Sequence, residues 1–216
     1  MLPLVALPVA GGGEVWVLPV PPPGTATEAG HPFLDDEEQS RASAFVRAED
    51  RARFAFAHVT LRQLLGARLG LSPAELRFGR DRCPCCGGPH GRPVVLPRAP
   101  LEFSLSHGGD LVVIGIASSP IGVDVEPVPE GPGSLEVARQ LHPEERRHID
   151  ANGPAAPLEL ARLWARKEAL LKGMGAGLGR DLSADDVTRS VPGWEITDLP
   201  VPPGHAAAAA VQTVAL

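Results

Sequence analysis

The chain has 216 residues, 44 % of them hydrophobic and 21 % charged, with 4 % aromatic and no Tyr, so one large or two small domains must fill their cores with Leu, Val and Ala. Its net charge of −6 argues against a non-specific nucleic-acid binder, which carries a basic excess. No run reaches the ~20 apolar residues of a membrane-spanning helix, and the apolar start, MLPLVALPVAGGG, lacks a basic stretch and is broken by Pro3 and Pro8, which argues against a secretory signal.

Residues 14–20 (EVWVLPV) alternate and predict a strand. Pro21-Pro22-Pro23-Gly24 ends it. A helix is expected from near Leu34, with Asp35 or Asp36 as its cap, and a second over 51–69. Ser72-Pro73-Ala74-Glu75 reads as a further helix start, and 79–100, rich in Gly, Pro and Cys, as irregular. Three short strands follow at 101–106, 111–117 and 121–126, whose tight connections predict an antiparallel meander. Helices are expected at 134–149 and 157–174, then strands at 194–199 and 205–214.

The two halves echo each other. Leu34-Asp35-Asp36-Glu37-Glu38 precedes a helix with Leu64-Leu65 and then Gly70-Leu71; Leu141-His142-Pro143-Glu144-Glu145 precedes a helix with Leu170-Leu171 and then Gly177-Leu178. This fits an α+β protein of two similar halves, 1–100 and 101–216, behaving as one unit with a cleft between them.

Three segments carry chemistry. In Gly122-Val123-Asp124-Val125-Glu126 the side chains at i and i+2 share one strand face. Asp124 and Glu126 therefore project together and repel unless a cation lies between them. Mg2+ takes such oxygen ligands and keeps positions open for phosphate, although D-x-E alone also fits the exposed face of an edge strand. In the helix over 157–174, Leu160, Leu163, Trp164, Leu170, Leu171 and Met174 form an apolar stripe with Lys167 in its middle. That ammonium either snorkels to solvent or meets carboxylates or phosphates. Glu168 and Lys172 lie at i and i+4 on the stripe's edge. Finally, Phe103-Ser104-Leu105-Ser106-His107-Gly108-Gly109 ends a strand with a hydroxyl, an imidazole and mobile amides together, which suits phosphate oxygens.

The order Ser-His-Gly, then Ile121-Gly122-Val123-Asp124-Val125-Glu126, then Trp164-Ala165-Arg166-Lys167-Glu168-Ala169-Leu170-Leu171-Lys172 resembles the Sfp-type 4'-phosphopantetheinyl transferases over nearly the whole chain. The resemblance implies a pseudo-twofold α+β fold with coenzyme A in the cleft. It implies transfer of phosphopantetheine to a serine of an apo acyl or peptidyl carrier protein, with 3',5'-ADP released. By position, Asp124, Glu126 and Glu168 would hold Mg2+. Ser106, His107, Lys167 and Lys172 would meet coenzyme A phosphates, and Arg41, Arg53 and Arg92 the 3'-phosphate. Glu38 stands where some members carry a base. Asp124, Glu168 and Lys172 are the catalytic candidates, Glu168 also as the base that takes the serine proton. A soluble cytoplasmic monomer, without nucleic-acid or membrane partners, is expected. The rival within the same fold is an inactive protein that binds coenzyme A or a carrier.

Cys83, Cys85 and Cys86 lie too close in sequence for a disulfide framework. Cys83, Cys86 and His90 have C-x2-C-x3-H spacing, which fits three ligands of a structural Zn2+ or a loop of free thiols. A zinc-ribbon-like interaction module built on one incomplete knuckle leaves the rest of the chain without an account.

Overall fold

The computed structural model describes residues 5–9, 12–24, 31–131, 133 and 135–213. Ser134 and Val214, each within an expected element, lie outside them, as does the start of the apolar N-terminal stretch (1–4). The strands are β1 (Leu7–Val9), β2 (Gly13–Pro19), β3 (Arg77–Arg80), β4 (Pro93–Leu96), β5 (Glu102–Gly108), β6 (Leu111–Ala117), β7 (Ile121–Pro127), β8 (Trp194–Asp198) and β9 (His205–Gln212). The helices are α1 (Asp36–Ala44), α2 (Ala48–Leu69), α3 (Pro143–Ala151) and α4 (Ala156–Met174). The fold is α+β, and every strand pairing is antiparallel. Among the described residues no helix is long and apolar enough to cross a membrane.

The first sheet has the order β1-β2-β6-β5 and the second β7-β9-β8, with β3-β4 a separate hairpin. Period-2 alternation explains how they stack. Trp16, Leu18, Val112, Ile114 and Ile116 turn one way to meet Ala57, Leu61 and Leu65 of α2. Val15, Leu111 and Val113 turn the other way, against Val123, Val125, Ala207 and Ala209 of the second sheet. The opposite face of β9, through Ala208 and Ala210, packs on Leu163, Ala169 and Leu170 of α4. The layers therefore run helix, sheet, sheet, helix. Small residues let α4 come close: a Cβ on Gly122 would lie 1.9 Å from the Ala169 carbonyl oxygen.

The sequence echo has a local structural counterpart. Asp35 caps α1 while Glu38 bonds back to its amide; His142 and Glu145 do the same at α3. Each glutamate then receives a buried cation from the following long helix: Arg62 Nε donates to Glu38 at 2.7 Å, and Lys167 Nζ lies 2.7 Å from Glu145. Both long helices end on a left-handed glycine, Gly70 (φ 67°) and Gly175 (φ 75°). The partner of Gly70 is thus Gly175, not Gly177.

Several expectations need correction. β7 does not continue the meander, because β6 is already flanked by β2 and β5; the chain turns at 118–120 and β7 pairs with β9 instead. For the same reason β5 and β6, placed with the second half by a division at residue 100, hydrogen-bond into the first sheet. The helix expected at 134–149 splits into a 3-10 turn, Glu136–Gln140, and α3. Pro143 lacks an N–H and drives His142 to an extended ψ of 144°. The segment read as irregular contains β4, which pairs with β3.

Candidate active site

Strands β5 and β7 are edge strands of different sheets, and they abut: the Val123 amide donates to Ser104 Oγ at 3.1 Å. Along this seam opens a cavity of about 1020 Å3, bounded by α1 and α2 on one side and by α4 on the other. A cleft between edge strands exposes two strand faces at once. Ser104 and Ser106 point toward β7, whereas Phe103, Leu105 and His107 point toward α2.

Asp124, Glu126, Glu168 and Lys172 line the wall made by β7 and α4. Val123 and Val125 are buried in the core between the sheets, so alternation turns the two β7 carboxylates toward α4. Asp124 is 3 % exposed. Its Oδ1 accepts from Ser106 Oγ at 2.7 Å and from Lys172 Nζ at 2.5 Å, and Lys172 also donates to Ser106 Oγ at 3.0 Å. Asp124 Oδ2 is buried without a hydrogen-bond partner, an expensive state for a carboxylate oxygen. Burial and then the charge of Asp124 push the Glu126 carboxyl up to about 7 against the pull of Lys172, with Glu168 adding to the rise. The Glu168 carboxyl is raised by burial and then by Asp124. One ammonium thus faces three crowded carboxylates. The orphaned Asp124 oxygen and the all-oxygen donor set fit a hard divalent cation.

The other wall is basic. His107 faces the cavity with its ring accessible; the surrounding walls and then the nearby Arg53 guanidinium hold its pKa below the usual histidine range. Arg41 lines the cavity, its guanidinium 5.5 Å from the Phe54 ring centre. Arg92 also lines it; its Nη1 donates to the Gly173 carbonyl at 3.1 Å, while its Nε is buried without a hydrogen-bond partner. Arg53 stands behind this wall, 3.3 Å from Asp50. Arg80 and His58 join the lining and were missed as site residues; His90, read as a candidate Zn2+ ligand, lines it too. Arg80 ends a strand in a segment read as irregular, so nothing in the local pattern aimed it at the cleft.

Two candidates are relocated. Lys167 does not face the cavity: it is 1 % exposed and paired with Glu145 and the Asp185 carbonyl. Glu38 touches the cavity edge, but its carboxylate is committed to the α1 cap, to Arg62 and to His58. Burial raises its pKa; the His58 and Asp35 hydrogen bonds and the charges of His58 and Arg62 outweigh burial and leave it lowered.

Potential ligand atoms of Cys83, Cys86 and His90 lie within 4.8 Å of one another. The three cysteines are free. Backbone amides of Cys85 and Cys86 bond to the Cys83 sulfur and hold that thiol's pKa down.

The segment 120–205, which runs from the turn before β7 through α4 to β9, matches the family model of the 4'-phosphopantetheinyl transferase superfamily. A 4'-phosphopantetheinyl transferase of Bacillus subtilis is 27 % identical over 166 residues, covering 76 % of this chain and 70 % of that protein. The 4'-phosphopantetheinyl transferase Sfp of Bacillus subtilis (strain 168) is 26 % identical over 170 residues, 78 % of this chain and 72 % of Sfp. A phosphopantetheinyl transferase of Thraustochytrium sp. is 34 % identical over 197 residues, 81 % of this chain and 65 % of that protein. The matched segment is the one that supplies the carboxylate wall, and the longer alignments reach into the basic wall as well, so both walls of the cavity lie in sequence similar to 4'-phosphopantetheinyl transferases.

Proposed function

We propose that this protein transfers the 4'-phosphopantetheine group of coenzyme A to a serine hydroxyl of an apo acyl or peptidyl carrier protein, releasing 3',5'-ADP in a Mg2+-dependent reaction. The observation that carries this reading is one cavity with Asp124, Glu126, Glu168 and Lys172 on one wall and His107, Arg41 and Arg92 on the other. A pyrophosphate with an attached 3'-phosphate needs both: oxygen ligands for its metal and cations for its remaining charge.

Asp124, Glu126 and Glu168 would hold Mg2+, which would supply positive charge against the pyrophosphate. His107 donates to phosphate oxygens at the end of β5, beside Ser106, whose hydroxyl is given to Asp124, and Arg41 and Arg92, with Arg53 behind them, form the electropositive side that receives the 3'-phosphate. The carrier serine Oγ forms a bond to the β-phosphorus while the bond from that phosphorus to the oxygen bridging the α-phosphate breaks. The electron pair leaves with 3',5'-ADP, stabilised by the Lys172 ammonium. Glu168 takes the serine proton. The enzyme works as a cytoplasmic monomer, its two α+β halves related by an approximate twofold that places the cleft between them.

Intact-mass analysis of apo carrier proteins incubated with the enzyme, Mg2+ and coenzyme A tests the reading. The expected result is a gain of one phosphopantetheine arm, abolished by EDTA. Coenzyme A binding without any mass gain on acyl or peptidyl carriers would establish the inactive binding protein instead.

A further inference from the structure

Apart from Arg92 at its end, the loop between β3 and β4 has no role in the proposed transfer, yet it is built in detail. Cys83 is 2 % exposed and starts a tight ring: its amide donates to the Gly88 carbonyl at 2.7 Å and the Gly87 amide to its own carbonyl at 2.8 Å. The Gly88 amide, two positions after Cys86, points at the Cys86 sulfur at 3.4 Å. Gly87 turns the chain with φ 72°, and His90 Nε2 comes to 3.0 Å from Cys86 Sγ. Amides aimed at sulfur stabilise thiolate, the form that binds metal.

We propose that Cys83, Cys86 and His90 bind a structural Zn2+, and that this ion fixes the loop carrying Arg92 into the cavity. Two thiolates and an imidazole are a soft donor set that selects a tetrahedral ion of this kind. With Zn–S bonds of about 2.3 Å, neighbouring ligand atoms stand about 3.7 Å apart, a spacing the three groups reach with small adjustments from their mutual separations of within 4.8 Å. Cys86 and His90 are exposed, so the fourth position opens to solvent and is filled by water; Cys85 lies outside the convergent group.

The link to the cavity is short. His90 is followed by Gly91, where a Cβ would lie 2.6 Å from the Asp81 carbonyl oxygen, and then by Arg92, whose carbonyl accepts from the Asp81 amide at 2.9 Å. Cys83 packs its sulfur toward the Ala176 carbonyl just beyond α4, the same helix end that Arg92 grips through Gly173. A metal at this place ties the first-half loop to the end of α4, beside the catalytic wall. This second claim rests on the reading of Arg92 as a coenzyme A contact; the metal site itself does not.

The test uses reduced full-length protein purified from zinc-supplemented cells. Elemental analysis is expected to give one equivalent of zinc, retained in Cys85→Ser and lost in Cys83→Ser and Cys86→Ser. Should those two variants fold poorly, Co2+ added to zinc-stripped wild type is expected to give thiolate charge-transfer and tetrahedral d–d absorption bands. Absence of both stoichiometric zinc and cobalt bands overturns the site, whatever the outcome of the transfer assay. Stripping zinc is expected to raise KM for coenzyme A several-fold with kcat kept and with no change for 3'-dephospho-coenzyme A. Bound zinc whose removal leaves KM unchanged overturns the positioning role.

Discussion

Lys167 and Lys172 are five positions apart on α4 and therefore about 140° apart around its axis; they do different work. The apolar stripe marked Lys167 as enclosed, but periodicity identifies a face and not the partner waiting there. That partner is Glu145, itself fully buried. Removing either member leaves an unpaired charge in the core, a loss of about 3–5 kcal/mol for a buried pair. Lys167→Ala is thus expected to lower the chemical-denaturation midpoint sharply, whereas Lys172→Ala, a half-exposed group, is expected to stay folded and lose transfer. The carboxylates give a second prediction, with its sign fixed by Glu126. Its folded pKa of about 7 lies above the 4.5 of an ordinary glutamate, so the metal-free native state holds a proton that the unfolded chain has released. This contribution to stability is full below pH ~4.5 and is lost as pH rises through about 7. Metal-free protein should therefore lose stability across this window, Mg2+ should restore it at the alkaline end, and Glu126→Gln should flatten the Glu126 share of the profile. Thermal melts with EDTA or Mg2+ at several pH values measure it; a Glu126→Gln profile identical to wild type would sink the assignment.

Elements were legible to different degrees. The long helices α2 and α4 announce themselves through apolar periodicity, and both lie close to their expected positions. Strand existence was likewise readable in β2, β6 and β7, from alternation in the first and from a continuous apolar run in the second. Strand partners were not, because three successive strands with short links look the same whether the third joins the second or departs. Only the insertion of β2 beside β6, a contact between residues about a hundred positions apart, excludes β7 from that sheet. Close approach of α4 to β7 gives a prediction at this scale. Both the Asp124–Glu126 wall and the Glu168–Lys172 wall depend on Gly122 lying against the Ala169 carbonyl. Gly122→Ala puts a methyl group where backbone stands 1.9 Å away, so α4 must shift off the strand. Overpacking of this kind costs about 1–3 kcal/mol or more, and here the shift also separates the carboxylates. The variant is expected to lose both stability and Mg2+ affinity; unchanged Mg2+ affinity by calorimetry would show that the two walls do not depend on this contact.

At the scale of the molecule, the order of motifs located the carboxylate wall in the sequence, since Asp124 and Glu126 share a strand face and Glu168 and Lys172 a helix edge. The basic wall was less legible, because Arg41, Arg80 and Arg92 come from three elements that meet only after folding. Glu38 illustrates the difference. Its position suggested a charge opposing a phosphate, but it caps α1 and neutralises Arg62, which is 0 % exposed. Glu38→Lys removes one of the two carboxylates paired with this buried guanidinium and puts a second cation beside it, and is expected to destabilise the protein rather than to tighten coenzyme A binding. The remaining test concerns the 3'-phosphate itself. Arg41 and Arg92 line the cavity opposite the carboxylates, and the Arg53 guanidinium stands near enough to depress the His107 pKa. A phosphate placed among them gains charge-assisted contacts typically worth ~1.5–3 kcal/mol each. Coenzyme A is then expected to bind at least about tenfold tighter than 3'-dephospho-coenzyme A, one such contact being sufficient for that ratio. Arg41→Ala is the cleanest variant, since that side chain is exposed and makes no ion pair among the described residues. It should reduce the preference while leaving thermal stability unchanged. Arg92→Ala should reduce the preference too, with some loss of stability from the broken Gly173 contact. Calorimetry with both ligands on wild type and the two variants decides the matter: equal affinity of wild type for the two ligands would remove the 3'-phosphate from the basic wall, and with it the reason for three arginines to face this cleft.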